Sequence, residues 1–201
     1  MNDVVIGDDG NARCGWGAST PDYVDYHDHE WGRPVLDRTT LFEKLCLEGF
    51  QSGLSWITIL RKRENFRAAF AGFDPNLVAA FDDDDVERLL ADAGIVRHQG
   101  KIRSTINNAQ AVLAMEANGE QLQDLMWSHR PKTRHRPATM SEVAATTPES
   151  VALAKALKRR GFSFVGPTTA YAAMQAMGIV NDHMVGCWQR EACEAAQLAV
   201  G

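Results

Sequence analysis

The sequence predicts an all-α protein of about nine or ten helices, folded as a single compact domain over residues 1–201. Apolar residues recur at helical spacing through nearly every segment, and the alternating pattern of a half-buried strand is almost absent. Helix-capping residues and glycines separate the helical stretches at regular intervals. A chain of 201 residues is long enough for one domain with a sizeable core.

Capping residues mark the helix starts in the first half of the chain. Thr20-Pro21-Asp22 offers a capping hydroxyl, then proline at the first helical position, then an acid. Thr39 or Thr40 opens the next helix, and apolar residues from Trp56 to Phe70 predict a third. Asp74-Pro75 begins a short fourth helix.

The second half of the chain continues this pattern. Segment 83–93 has acids in its first turn and a glycine after its end, which is typical of a complete helix. Residues 102–119 form a long amphipathic segment, and 120–128 follow as a shorter one. We expect a last pair of helices, forming a hairpin element, over about 149–178.

Two stretches lack a helical period. Residues 1–11 are predicted to be a loose polar arm, and 128–147 a surface loop rich in turn residues. The N-terminus has no basic stretch leading into a long apolar one, so it does not resemble a secretory signal. Nor does any apolar run reach the roughly 18 residues of a membrane helix. We therefore expect a cytoplasmic protein without membrane association.

The charge balance argues against unspecific binding of nucleic acid. The formal net charge is −5 and the sequence pI about 5.7. A local basic face remains possible, because basic residues cluster in four segments, 61–67, 97–103, 130–136 and 155–160. Solvated helix surfaces are the simpler interpretation of any one cluster.

The hairpin element carries a candidate phosphate site. One helix ends at Gly161, the turn "FSFVGP" follows, and the next helix starts at Pro167. The free N–H groups and the dipole of that second helix attract an anion, and Lys155 with 158–160 adds positive charge. The turn thus predicts a sequence-independent clamp on a DNA phosphate. An ordinary corner between two helices is the alternative. The expected contacts are Gly161, Phe164, Val165, Gly166 and Thr168.

Two pairs of metal-binding residues lie near opposite ends of the chain. Twelve residues separate Cys14 from His27, whereas three separate His183 from Cys187, which places the latter two on one helical face. Two thiolates and two imidazoles suit a tetrahedral structural zinc ion. Core cysteines and capping histidines are the alternative. A zinc deaminase would need H-x-E and P-C-x-x-C motifs, and the sequence has neither.

A glutamate on an apolar helix face is the candidate catalytic group. In "LFEKLCLEGFQSGLSW" Glu48 follows Leu45 by three residues, on the face that Leu41 and Cys46 mark as buried. Burying a carboxylate with no lysine nearby is costly, so a cationic ligand is the expected reason for it. Aromatic residues that could wall such a site are Trp16, Tyr23, Tyr26 and Trp56.

Long segments of the chain resemble the DNA-3-methyladenine glycosylase I family, within the helix-hairpin-helix DNA glycosylase superfamily. The similar segments include "RCGWG", "YVDYHDHEWGRP", "AGIVRHQGKI", "ALKRRGFSFVG" and "VNDHMVGC", together with the Glu48 segment. They occur in the order of the family, from residue 13 to 187. The resemblance implies a helix-hairpin-helix fold that binds double-stranded DNA containing alkylated bases.

The resemblance also implies roles for individual residues. Structural zinc would be held by Cys14, His27, His183 and Cys187, tying segments 12–30 and 180–190 together. Glu48 would recognise a flipped, cationic 3-methyladenine, Tyr26 and Trp56 would stack on it or wall the pocket, and Trp16 and Tyr23 would line it. Leu54 would fill the gap that the flipped base leaves. The implied reaction is hydrolysis of the N-glycosidic bond to leave an abasic site.

This sequence departs from the family or the superfamily at several positions. Phe50 stands where a polar residue is expected and would alter the pocket rim. The aspartate of the superfamily falls most naturally on Asn181, with Asp182 beside it, so we expect no positioned catalytic aspartate. No lysine lies in the second hairpin helix, so we expect no lyase step.

Two other functions compete with that of a glycosylase. A non-enzymatic helix-hairpin-helix DNA-binding protein would use the hairpin without chemistry, but it would leave Glu48 without a purpose. A zinc-organised interaction module would leave the hairpin and the basic clusters unused. No sequence feature predicts a protein partner, and we expect a monomer.

Overall fold

The computed structural model of the protein describes residues 3–200, and ten α-helices make up most of that part. This confirms the predicted helical class and the number of helices. In chain order the helices are α1 (Pro21–His29), α2 (Arg38–Gln51), α3 (Trp56–Ala69), α4 (Pro75–Val78), α5 (Asp83–Ala91), α6 (Gln99–Ala117), α7 (Leu122–Trp127), α8 (Pro148–Arg159), α9 (Pro167–Ala176) and α10 (Arg190–Ala199).

Most of these helices begin at the residues that the sequence marks. The Thr20 hydroxyl accepts the N–H of Tyr23 at the start of α1. The predicted start of α2 at Thr39 or Thr40 is wrong by one or two residues. Asp37 is the cap, because its backbone is extended and its carboxylate accepts the N–H of Thr40 at 2.8 Å.

The N-terminal arm is a β-hairpin, not a loose segment, over its described residues; residues 1 and 2 lie outside the part described. Strand β1 (Val4–Ile6) pairs antiparallel with β2 (Ala12–Cys14). The β-branched residues of β1 favour a strand. Arg13 of β2 also holds the turn, because its guanidinium binds Asp9 at 2.6 Å. A strand of three residues is too short to leave a period in the sequence.

The last element, α10, had no counterpart in the sequence prediction. Gln189 at its N-cap provides no side-chain cap, so the tail lacks the start signal that marks the other helices. One face of α10 is nevertheless buried, with Cys193 fully enclosed. The helix packs back onto the segment after α9, where Gln197 Nε2 donates to Gly178 O at 2.7 Å.

Helix α2 runs through the centre of the core. Every residue from Leu41 to Phe50 is buried, and α2 packs against α3, α6, α7 and α9. Phe50 lies among aromatic rings, with its centroid 4.6 Å from Phe66 and 5.8 Å from Phe70. It is therefore a core residue, and its expected position at the pocket rim is wrong. None of the described helices is long and apolar enough to cross a membrane.

Candidate functional site

A cavity of about 250 Å³ opens between α1, α2, the start of α3 and the C-terminal part of α9. The four aromatic residues chosen from the sequence all line it, and so does Glu48. Its lining residues are Trp16, Tyr23, Tyr26, Trp31, Glu48, Gln51, Trp56, Met140, Val143, Ala172, Gln175 and Asp182. A cavity of this size suits a single flat ring system with polar groups at its edge.

The Glu48 carboxylate is the most perturbed acid in this cavity. The side chain is 6% exposed and accepts no hydrogen bond from any described residue. Burial raises the pKa of Glu48 from its usual 4.5 to about 8, and the charge of Lys44 offsets only part of this rise. A cationic ligand would supply the charge that the protein does not.

The sequence-based statement that no lysine lies near Glu48 is wrong. Lys44 is buried one helical turn away and acts on Glu48 through its charge. It does not neutralise Glu48, because its ammonium is paired with Glu30, which also binds Arg63 at 2.5 Å. The Lys44 ammonium also lies 5.8 Å from the ring centroid of Tyr26. Helix spacing places Lys44 near Glu48, whereas the position of Glu30 depends on the fold.

The aromatic walls include a buried polar donor without a partner among the described residues. Tyr26 and Trp56 lie against each other with centroids 5.4 Å apart, and Trp16 meets Tyr23 edge-on at 5.6 Å. Tyr23 is fixed by its hydroxyl, which accepts the N–H of Ile57 at 3.1 Å. The indole Nε1–H of Trp56 is buried and has no hydrogen-bond partner among the described residues. It is available to a ligand atom in the cavity.

A second carboxylate lines the same cavity, contrary to the expectation of no positioned aspartate. Asp182 is 2% exposed, and its Oδ2 accepts hydrogen bonds from Tyr171 Oη at 2.6 Å and Gln175 Nε2 at 2.8 Å. Asn181 faces away, with its amide donating to Arg190 O at 2.9 Å. The adjacent residues Asn181 and Asp182 thus point to opposite sides, and only Asp182 of the two lines the cavity.

Several pocket residues were not selected from the sequence. Trp31 lies within the quoted "HEWGRP" segment, so an aromatic signal was available for it. Gln51 follows Phe50, and Gln175 lies one turn beyond Tyr171 in α9. Met140 and Val143 come from the segment predicted to be a plain surface loop. That loop crosses the cavity mouth, which no local pattern could indicate.

The four cysteine and histidine residues selected as metal ligands meet at one buried point. Their ligand atoms all lie within 4.8 Å of one another. His183 Nδ1 is 3.2 Å from His27 Nε2, and Cys187 Sγ is 3.4 Å and 3.5 Å from these two nitrogens. A tetrahedral zinc with normal Zn–S and Zn–N bonds separates its ligands by roughly 3.3–3.8 Å. The donor set therefore fits zinc.

Neighbouring groups hold both imidazoles with the required nitrogen turned inward. His27 Nδ1 lies 2.7 Å from Asp28 Oδ1, and His183 Nε2 lies 3.1 Å from Trp31 O. Burial alone would raise the pKa of Asp28, but hydrogen bonds from Arg13 and His27 lower it overall. Cys14 Sγ accepts the N–H of Met184 at 3.2 Å. These contacts fix the four ligands from both ends of the chain.

The helices α8 and α9 form the expected hairpin, and its turn faces outward. Gly161 is exposed in a left-handed conformation, and Phe164 is 41% exposed with a φ of 54°. Gly166 is the N-cap of α9, and open space surrounds its Cα. Thr168 is exposed in the first turn of α9. Val165 differs from the other candidates, because its side chain is in the core and only its backbone could meet a ligand.

A second exposed loop connects α2 with α3. Leu54 projects from it with 42% of its surface exposed, next to Gly53 in a left-handed conformation. The buried ammonium of Lys101 holds the base of this loop, donating to Phe50 O at 2.8 Å and Ser52 O at 2.6 Å. The structure thus gives Leu54 an exposed tip on a fixed base.

Comparison with known proteins gives consistent matches. A family model described as methyladenine glycosylase matches residues 16–190. The chain is 57% identical over 178 residues to DNA-3-methyladenine glycosylase 1 of Escherichia coli K12, covering 87% of this chain and 95% of that protein. It is 48% identical to DNA-3-methyladenine glycosylase of Haemophilus influenzae, with 87% and 96% covered.

The chain is also similar to solved structures of proteins of the same name. A crystal structure of a 3-methyladenine DNA glycosylase I aligns with a TM-score of 0.85 at 54% identity, covering 88% of this chain and 98% of that one. A structure describing 3-methyladenine recognition by the Staphylococcus aureus enzyme aligns with a TM-score of 0.84 at 34% identity, with 89% and 96% covered.

Proposed function

This chain belongs to the methyladenine glycosylase family, and from that premise we propose that it excises 3-methyladenine from alkylated DNA. It hydrolyses the N-glycosidic bond and leaves an abasic site. The single observation that carries this assignment is Glu48, a buried carboxylate without a protein partner in an aromatic-walled cavity. A DNA-binding module without chemistry would have no use for it.

The substrate's own charge starts the reaction. Methylation at N3 makes the base cationic in DNA, which weakens its bond to deoxyribose. A flipped cationic base would be attracted by the Glu48 carboxylate and by the faces of Tyr26 and Trp56. The free Nε1–H of Trp56 could donate to a ring nitrogen of the same base. These contacts hold the leaving group while the bond breaks.

Water then completes the hydrolysis. As the C1′–N bond breaks, its electron pair leaves with the base, and the sugar develops oxocarbenium character. A water oxygen attacks C1′ and its proton passes to solvent or to a carboxylate. Asp182 is placed to help, because Tyr171 and Gln175 occupy its Oδ2 while its Oδ1 has only a 3.4 Å contact with His135. No lysine lies in α9, so no Schiff-base step is proposed.

We propose that Cys14, His27, His183 and Cys187 hold a structural zinc ion. All four tetrahedral positions would be taken by protein, so the ion would stabilise the fold and leave catalysis to other groups. The positions of the four residues support a structural role, because the cluster joins α1, which carries Tyr26, to the segment that carries Asp182.

The DNA-facing surface is proposed from the two exposed loops. The N-terminus of α9 at Gly166 would bind a backbone phosphate through free N–H groups, with Gly161, Phe164, Thr168 and the Val165 backbone around it. Leu54 would occupy the gap left by the flipped base. The pocket, the hairpin and the cysteine–histidine cluster all come from one chain, so we propose that it acts as a single-domain monomer.

The assignment is tested by incubating the protein with methylated duplex DNA and measuring the released bases. Release of 3-methyladenine together with alkali-labile abasic sites is the expected result. Strand cleavage without alkali would contradict a purely hydrolytic enzyme. Binding to duplex DNA without base release would establish the non-enzymatic alternative.

A further inference from the structure

A second, larger cavity of about 520 Å³ lies on the other side of the wall formed by Tyr171 and His135. It is enclosed by the loop 130–135, the N-terminus of α8, the end of α9 and helix α10. The family match ends at residue 190, so most of α10 lies beyond it. Glu194 and Gln197 of α10 line this cavity, which is therefore partly built by a segment outside the family match.

A buried arginine with an unused donor forms one wall. Arg190 is 6% exposed, and its Nη1 and Nη2 donate to His183 O and His135 O. Its Nε–H is buried and has no hydrogen-bond partner among the described residues. An unpaired donor on a buried cation is expensive unless a ligand or water satisfies it.

The remaining charges of the cavity favour an anion. Glu194 is neutralised by Arg134 at 2.6 Å and Arg136 at 2.7 Å. Among the other lining residues, the cations Lys132 and Arg190 then face a single further acid, Glu149. The twelve-residue helix α8 begins at the same wall and directs the positive end of its dipole towards it.

The walls of this cavity also include apolar residues. Ile179, Val180 and Pro148 contribute apolar surface, and the volume falls in the range of small-molecule sites. An inorganic phosphate alone would leave much of this space unfilled. The positions of the cations on separate walls suit a group with several acceptor oxygens better than a single carboxylate, which one arginine could satisfy.

We propose that this cavity binds a phosphate group carried on a small organic molecule or on a DNA strand. The phosphate lies among Arg190, Lys132 and the start of α8, and the apolar walls take the sugar or other carbon skeleton. The site is distinct from the base pocket, which holds Glu48 and Trp56, and from the hairpin turn at the opposite end of α8.

The test is calorimetric titration of the full chain with ribose 5-phosphate, with ribose as the ligand control. Neither sugar carries a base, so the aromatic pocket is not engaged. Lys132→Glu is the test variant, because Lys132 is exposed at the cavity and reversal of its charge spares the core. Lys155→Glu is the matched control, an exposed lysine of α8 outside the cavity.

We expect ribose 5-phosphate to bind and ribose not to bind. Lys132→Glu should raise the Kd at least about tenfold, the loss of one charge-assisted contact, while Lys155→Glu leaves it within about twofold. If ribose 5-phosphate fails to bind but Lys132→Glu weakens binding to undamaged duplex DNA about tenfold, the phosphate comes from DNA. The control for this DNA measurement is Gln123→Glu, at an exposed residue of α7 outside both the cavity and the hairpin. If Lys132→Glu changes the binding of neither ribose 5-phosphate nor DNA, or if Lys155→Glu weakens ribose 5-phosphate binding as much, the proposal is wrong.

Discussion

Tyr26 and His27 are consecutive residues of α1, yet they face two different sites. The Tyr26 ring walls the base pocket, whereas His27 Nε2 lies 3.2 Å from His183 Nδ1 in the cysteine–histidine cluster. The short segment between β2 and α1 adds a second link, because Trp16 lines the pocket and its ring lies 5.4 Å from that of His27. Any disturbance of the cluster should therefore reach the pocket.

This link predicts how the protein responds to loss of metal. Purified without chelators, it should contain about one zinc ion per chain, and Cys187→Ser should lower both the zinc content and the Tm. Base excision should fall only as far as the fold is lost. Cys193→Ser is the matched control for zinc content, which it should leave unchanged, since Cys193 is equally buried but outside the cluster. Elemental analysis that finds no metal in the unaltered protein would refute the zinc assignment.

Glu48→Gln should preserve the shape of the pocket and remove the carboxylate, which a bound cationic base would keep ionised although burial raises its pKa to about 8 in the empty pocket. A charge-assisted hydrogen bond contributes roughly 1.5–3 kcal/mol, so single-turnover excision should fall on the order of 10-fold to 100-fold. Free 3-methyladenine should also bind more weakly. Gln51→Glu is a second variant for comparison, because it places a carboxylate at another position in the lining of the same pocket. Full activity in the Glu48→Gln protein would exclude Glu48 from base recognition.

The stability of Glu48→Gln should depend on pH in a defined direction. The pKa of Glu48 is about 8 in the folded protein and 4.5 when exposed, so the folded state binds the proton more tightly. The wild type is therefore most favoured below pH 4.5 and loses stability as the pH rises towards 8. The Tm of the variant relative to that of the wild type should therefore increase as the pH rises towards 8. Parallel melting curves of the two proteins at pH 5 and pH 8 measure the effect, and a constant difference would contradict the raised pKa.

Much of the helical fold and of the site was predictable because the signals are local. Caps such as Thr20 and helical periodicity locate most helices, and the position of Glu48 on an apolar face of α2 marks it as unusual. Residue chemistry left core cysteines and capping histidines open as an alternative to the cluster. The family resemblance favoured the cluster, whose two halves lie at opposite ends of the chain. The helix assignments, by contrast, need no knowledge of how distant segments pack.

The errors concern features that only tertiary packing decides. The β-hairpin depends on Arg13 reaching both Asp9 and Asp28. Helix α10 has no capping side chain, and its stability comes from burying Cys193. Phe50 packs in a core cluster of aromatic rings from α2 and α3. Its place in the sequence motif therefore could not show that it lies in the core and not at the pocket.

The hairpin turn should tolerate a larger residue at Gly166 without unfolding. A Cβ at this position meets open space, and the backbone is not in the left-handed region. Gly166→Leu should therefore keep its Tm but block approach of a phosphate to the α9 N-terminus, weakening binding to damaged and undamaged duplexes alike. Ala152→Leu, at an exposed site in α8, is the control. A change in base preference with unaltered affinity for undamaged DNA would contradict the phosphate contact.

Trp56→Phe separates the indole donor from the aromatic wall. The ring packing with Tyr26 is largely kept, but the free Nε1–H is lost. If that group donates to the base, affinity for free 3-methyladenine should fall about 3-fold to 10-fold, the value of an ordinary hydrogen bond of roughly 1 kcal/mol. Fluorescence or calorimetric titration measures it. Unchanged affinity would mean that Trp56 serves only as a wall.

Asp182 provides the last test, because its role should differ in kind from that of Glu48. Its Oδ2 is held by Tyr171 and Gln175, so the carboxylate is rigid before substrate arrives. If it stabilises positive charge that develops on the sugar, Asp182→Asn should lower the single-turnover rate on the order of 100-fold and leave the affinity for the free base unchanged. Tyr171→Phe, which removes only one support of the carboxylate, should cause a smaller loss of rate. Equal losses of rate and of base affinity in Asp182→Asn would place Asp182 with the base-binding groups, and a loss of Tm alone would make it part of the scaffold.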